Sequence, residues 1–234
     1  AVTQVQSEDL RNAVSGTSPE EGRNALSCVI QTFNLMDAQR ALLPLKSSGN
    51  GYIIEGGTAS NVIPEYASCE FCIRGDKVKD LLVVEAALNR AIETANTLFG
   101  TTAKTQSGLM YTERYSNRMM DEIFKKHLEE MGEVVEYPSP TMKYGSSDIG
   151  NVSLEVPTIQ PYLKIGDGDS HTHEFMEAAK SPYGLEQAVK GAKALALTAC
   201  DILESAQLQK EIKDEFEKTV PGYTREELGY HSQF

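Results

Sequence analysis

The feature that most constrains the fold is an alternation of two periods over residues 2 to 109, in the order strand, helix, strand, strand, helix, strand. Val2 to Gln6 reads as a short first strand. Ser18-Pro19-Glu20-Glu21 forms a capping box with proline at the first helical position. Ala25, Leu26, Val29, Ile30 and Phe33 follow at helical spacing, which predicts one buried face, and Gly49-Asn50-Gly51 ends the connection beyond it. Two strands are expected around Tyr52–Glu55 and Ala67–Arg74, separated by the turn-rich Gly56-Gly57-Thr58-Ala59-Ser60-Asn61. In the second, alternation sets Cys69, Phe71 and Ile73 on one face and Arg74 on the other. Asp76 is placed to cap a helix through Leu81, Leu82, Ala86, Ile92, Ala95 and Phe99, stopped by Gly100, and the segment from Thr101 to Leu109 alternates again. This order is the split βαβ pattern of a ferredoxin-like α+β sandwich, expected over residues 1–110.

A second, α/β region is expected over residues 111–234. A helix passes through Ile123, Phe124, His127, Leu128 and Met131 and closes at Gly132. Short strands are expected around Glu133–Tyr137 and Thr158–Ile165. A long helix starts at Ser181-Pro182, and its stripe of Leu185, Val189, Ala192, Leu195, Ala199, Ile202 and Leu203 implies packing against something large. A formal charge of −12 repels phosphate backbones and anionic lipid, so no nucleic-acid partner is expected. No apolar run is long enough to span a bilayer, and the first nine residues lack signal-peptide regions, so no membrane association is expected. Cys28, Cys69, Cys72 and Cys200 lie in apolar stretches that suit buried thiols in a reducing cytoplasm. A chain that begins at Ala1 reads as processed or as a piece of something longer.

Gly166-Asp167-Gly168-Asp169-Ser170-His171-Thr172-His173-Glu174 carries two imidazoles and three carboxylates, donors suited to a divalent metal. Equally, both histidines can be solvated loop residues, because no second ligand cluster follows. Cys69 and Cys72 resemble half of a zinc ribbon, but strand alternation sends them to opposite faces. Gly145-Ser146-Ser147-Asp148-Ile149-Gly150 fits neither a P-loop nor a dinucleotide fingerprint, and no convincing helix is expected after it. The absence of a Gly-x-Ser-x-Gly elbow leaves a serine hydrolase without support. An arginine fork such as Arg74 can hold a carboxylate, and an amide such as Asn61 can donate to the same anion or to a developing oxyanion.

Three stretches together resemble a known family: Ser18 to Leu26, Gly56 to Pro64 running into Phe71-Cys72-Ile73-Arg74, and Gly145 to Ser153 followed by Ser170 to Phe175. They look like the lid domain and carboxy-terminal half of the zinc-dependent aminoacylase and carboxypeptidase family, peptidase family twenty of the metallo class. The resemblance is to its amidohydrolase branch, similar to p-aminobenzoyl-glutamate hydrolase. It implies a ferredoxin-like lid that pairs protomers into a homodimer, and part of an α/β metallohydrolase domain with a dinuclear zinc site. By the same resemblance His171 is a metal ligand, and Asn61 and Arg74 contact the carbonyl and the terminal carboxylate of a small carboxylate-bearing amide substrate. His173 is then a loop neighbour. Two departures follow from the same comparison: the family's other ligands and its general-base glutamate belong to an amino-terminal half missing here, and Val14 stands where similar enzymes carry a lid histidine. The expected activity is amide hydrolysis of an N-acyl amino acid, aminobenzoyl-glutamate or small dipeptide through a metal-activated water, with the chain inactive alone. The alternative is a non-catalytic dimerisation or ligand-binding module.

Overall fold

The computed structural model describes residues 2–8, 14–15, 22–138, 145–224 and 228, the first two segments by their backbone. Contacts divide the chain into two compact units: Ala1–Glu113 with Thr224–Phe234, and Arg114–Tyr223.

Among its described residues the first unit holds six strands and two α-helices: β1 (Val2–Glu8), β2 (Val14–Ser15), α1 (Ala25–Gln39), β3 (Ser48–Glu55), β4 (Val62–Ile63), β5 (Tyr66–Arg74), α2 (Val78–Phe99) and β6 (Thr102–Ser107). Four strands form one antiparallel sheet in the order β3-β5-β1-β6, and β2 pairs with β4 apart from it. This is the expected ferredoxin-like sandwich, with α1 and α2 on one side. Ala67, Cys69, Phe71 and Ile73 of β5 are buried under the helices. They meet Val29 and Met36 of α1 and Leu81, Val84, Leu88 and Ala91 of α2 in one core, and the Phe33 and Phe71 rings lie 4.5 Å apart.

Several local expectations are corrected. Ser18 to Glu21 lie outside the described residues, and α1 begins at Ala25, where Asn24 accepts from the Ser27 N–H. Gly49 and Gly51 sit inside β3 and not in a turn. A Cβ on Gly51 would stand 2.4 Å from the Glu70 carbonyl and one on Gly49 3.0 Å from Met36, so the glycines let β5 and α1 close onto β3. Ile30 is 45% exposed, whereas Cys28, Thr32 and Met36 complete the buried face of α1. Asp76 does not cap α2. It pairs with Lys46, and Glu113 accepts from the first helical N–H, that of Val78. Gly100 ends α2 in the left-handed conformation as expected.

The second unit contains α3 (Arg118–Glu130), α4 (Ile149–Glu155), α5 (His173–Ala179), α6 (Pro182–Glu204) and α7 (Ala206–Thr219). Phe124 and Leu128 of α3 and Ala194 of α6 are its buried centre, with Met131, Val135, Ile159 and Leu163 packed around them. Neither stretch read as a strand, 133–137 or 158–165, joins a ladder among the described residues. The alternation is real, since Leu163 is half-buried and Tyr162 exposed, but a strand also needs a neighbour to bond. The glycine-rich Gly145–Asp148 stretch does lead into a helix, α4, contrary to expectation.

Candidate functional site

The connection from β3 to β5 is shaped by glycine and proline. Gly57 has φ +109°, and a Cβ there would come within 2.7 Å of Pro64. The Pro64 carbonyl accepts from the Ala25 N–H at 3.0 Å, tying the loop to the start of α1. Beside it lies an open depression of about 510 Å³, lined by residues that include Asn24, Leu26, Thr58, Ser60 and Pro64. Asn61 is exposed at the rim of this connection, and β2 is paired alongside, with Val14 opposite Ile63.

Arg74 ends β5, at the far end of the strand from this connection, and is paired with Ser48 of β3. It is exposed and forms no ion pair with a described residue, so its guanidinium fork is available to an external carboxylate. Eight residue steps of strand separate Tyr66 from Arg74, roughly 26 Å at the usual rise. Asn61 lies in the connection at the Tyr66 end. Within one chain the two side chains are therefore too far apart to hold one dipeptide-sized molecule.

His171 belongs to the second unit. It is exposed and has φ +69°, left-handed backbone that few non-glycine residues adopt. The turn around it is built locally: the Thr172 hydroxyl donates to the Asp169 carbonyl at 2.7 Å and accepts from the Phe175 N–H, capping α5. Cβ atoms on Gly166 and Gly168 would lie 2.7 and 2.8 Å from Ala178 and Glu174, so these glycines let the loop lie on α5. His173 is the first residue of α5, not a loop neighbour. Lys164 holds the exposed Asp167 carboxylate at 2.5 Å and lowers its pKa.

Among the described residues no three His, Cys, Asp or Glu side chains gather as a metal site. The donor set present thus does not by itself fit a catalytic divalent ion, which needs about three protein ligands and an open position. Cys69 is no candidate, because burial, with Cys28 adding to it, pushes its thiol up to about 12. All four cysteines are free, and Cys200 is exposed where a buried thiol was expected. His127 is buried with Nε2 2.9 Å from Asp201 and Nδ1 3.4 Å from Glu130, which binds α3 to α6. Its helical spacing in the sequence signals a core residue, and the structure gives it that role. What sequence reasoning did not find is the apolar edge of the first unit: Tyr52, Ile53 and Ile54 of β3 are 58%, 41% and 49% exposed, with Ile30 beside them.

Residues 11–97, the greater part of the ferredoxin-like unit, match the peptidase dimerisation domain. That places residues 11–97 in the class of peptidase dimerisation domains. The chain is also 29% identical over 208 residues to human Xaa-Arg dipeptidase, covering 86% of this chain and 47% of that protein. Among solved structures, the aminobenzoyl-glutamate utilization protein of Klebsiella pneumoniae shares the fold at TM-score 0.54 and 19% identity, over 65% of this chain and 39% of that one. A hydantoinase/carbamoylase family amidase of Burkholderia ambifaria does so at TM-score 0.54 and 13% identity, over 85% and 46%. The dimerisation-domain match and the dipeptidase relatives support a peptidase or amidohydrolase of family twenty of the metallo class, the family that its motifs resemble. It spans about half the length of the curated relatives it matches. No helix among the described residues is long and apolar enough to cross a membrane.

Proposed function

We propose that this chain is the lid and carboxy-terminal part of a cytoplasmic, zinc-dependent amidohydrolase that cleaves the amide bond of a small substrate ending in a carboxylate, a dipeptide or N-acyl amino acid. The observation that carries this reading is the length of the match to a dipeptidase. Two hundred and eight aligned residues exceed the first unit, so the likeness extends into the second. Residues 1–110 act as the lid and residues 111–234 as part of the catalytic domain. Arg74 grips the substrate's terminal carboxylate through paired N–H donors, and Asn61 donates to the carbonyl under attack. His171 offers one imidazole to a dinuclear metal centre whose other ligands lie outside this chain. Alone, the chain is inactive.

The distance between Asn61 and Arg74 supports a homodimer that shares its sites. β3 is an edge strand with apolar side chains on it, the kind of edge that pairs with another strand. In the sheet Ser48 lies beside Arg74, and Glu55 lies at the end that leads to Asn61. An antiparallel pairing of β3 with its copy therefore sets Asn61 of one protomer at the same end as the partner's Arg74. One substrate can then be held by both.

Two measurements test this. Sedimentation of the chain should give twice the monomer mass, and Ile53→Asp should return it to monomer. In the enzyme carrying the full ligand set, Arg74→Ala should raise KM for a carboxylate-bearing dipeptide by about tenfold or more, and barely for its terminal amide. Equal effects on both substrates would remove Arg74 from the site.

A further inference from the structure

Between α1 and β3 the chain runs Ala41-Leu42-Leu43-Pro44-Leu45, and two of these side chains stand in water: Leu42 is 81% and Leu45 91% exposed. The tip is folded rather than loose. The Leu43 N–H donates to the Arg40 carbonyl at 3.3 Å, and the Ser47 N–H donates to the Pro44 carbonyl at 3.1 Å. Lys46 holds φ +63°, a left-handed conformation that few non-glycine residues adopt, and pairs with Asp76. Leucines held outward by an ordered turn are unfavourable in water until another surface covers them.

The position of the tip along the chain says which surface. β3 begins three residues after Leu45, at the end of the sheet that carries Arg74. Antiparallel pairing of β3 with its copy over the whole strand sets Ser48 opposite the partner's Glu55. The same count brings Leu45, three positions before Ser48, level with the partner's Thr58, three positions beyond Glu55. Thr58 lines the depression of about 510 Å³ beside Asn61, together with Leu26, Val62, Ile63 and Pro64. No ionisable side chain lines that hollow, so it suits an apolar knob.

The strand edge alone is too small for a stable dimer. Eight residues of edge, about 26 Å long and roughly 10 Å wide, bury only about 500 Å² over two protomers, whereas a stable interface needs ~1,200 Å². A leucine taken from water removes on the order of 100 Å² of apolar surface. Two from each protomer, with the surface they cover, raise the total to about 1,300 Å².

We propose that Leu42 and Leu45 of each protomer seat in the depression beside Asn61 of the other, so that this recess takes a wall from each chain. The contact rests on the homodimer proposed above, and adds to it residues outside β3 on which both dimer strength and the shape of the recess depend.

Crosslinking tests it. Within one chain, Leu45 and Thr58 lie beyond opposite ends of β3, whose seven residue steps span roughly 23 Å. A bismaleimide much shorter than that can join them only between chains. Leu45→Cys with Thr58→Cys in the same chain should give a covalent dimer, and mass spectrometry should find the 45–58 linkage in it. Separately, Leu42→Ser with Leu45→Ser should raise the dimer's dissociation constant by about a hundredfold or more at unchanged helicity, because four apolar groups return to water. All three positions are exposed, so the fold does not depend on them. A chain that sediments as a monomer at every concentration overturns the homodimer and this contact together. A dimer that yields no 45–58 linkage, or whose dissociation constant the serine variant leaves unmoved, overturns this contact alone and leaves the pairing of β3 standing.

Discussion

Adding one methyl group to Gly51 sets two effects against each other. Replacing glycine by alanine in a strand ordinarily helps folding by about 0.5–1 kcal/mol, because the unfolded chain loses freedom and φ at Gly51 is not in the left-handed region. Here the new Cβ would lie 2.4 Å from the Glu70 carbonyl and 3.0 Å from the Phe71 ring. The first of these atoms is backbone on the neighbouring strand and cannot rotate away. Prying β3 from β5, with the Phe33–Phe71 ring contact above them, should cost about 1–3 kcal/mol. The steric term wins, for a net loss of about 1–2 kcal/mol, or roughly 5–10 °C in the melting of a unit this size. Scanning calorimetry of Gly51→Ala should lower the transition of the first unit, whereas Gly145→Ala, where a Cβ meets nothing within 4 Å, should not. A Gly51→Ala transition that stays put or rises would refute the idea that these glycines exist for close approach.

Two predictions concern the second unit. Leu128→Ala removes a buried side chain that meets Phe124, Ala194 and partly buried neighbours, so chemical denaturation should show a loss of about 2–5 kcal/mol; a loss below 1 kcal/mol would mean that this centre is loosely packed. Lys190 and Gln187 both donate to the Glu133 carboxylate, at 2.6 and 3.0 Å, and these bonds hold its pKa below the ordinary value. A lowered acid stabilises the folded state above its unfolded pKa, and that contribution disappears as pH falls through the folded value. Stability of the unit should accordingly drop between about pH 5 and 3, and less steeply in Glu133→Gln; parallel curves for the two proteins would show that the cluster adds nothing.

What a sequence reveals depends on whether the cause lies near it along the chain. The ferredoxin-like order was legible because period-2 and period-3.6 patterns are local, and so were the caps at Ser181 and Gly100, where a residue acts on backbone within four positions. Gly49 and Gly51 read as a turn because their purpose, room for Met36 and the Glu70 carbonyl, comes from residues distant in sequence. Ile30 read as core for a similar reason: a helical stripe says which residues are apolar and nothing about which flank meets the sheet. The same blindness affects the candidate site. Arg74 and Asn61 stand thirteen positions apart and look like neighbours on paper, yet most of that interval is spent traversing a nine-residue strand. Extended backbone turns a short sequence interval into a long spatial one, so two residues flanking a strand meet a common small ligand only when a second sheet, run the opposite way, returns one of them. That requirement makes the apolar edge of β3, a feature with no catalytic chemistry of its own, as necessary to the proposed activity as the arginine.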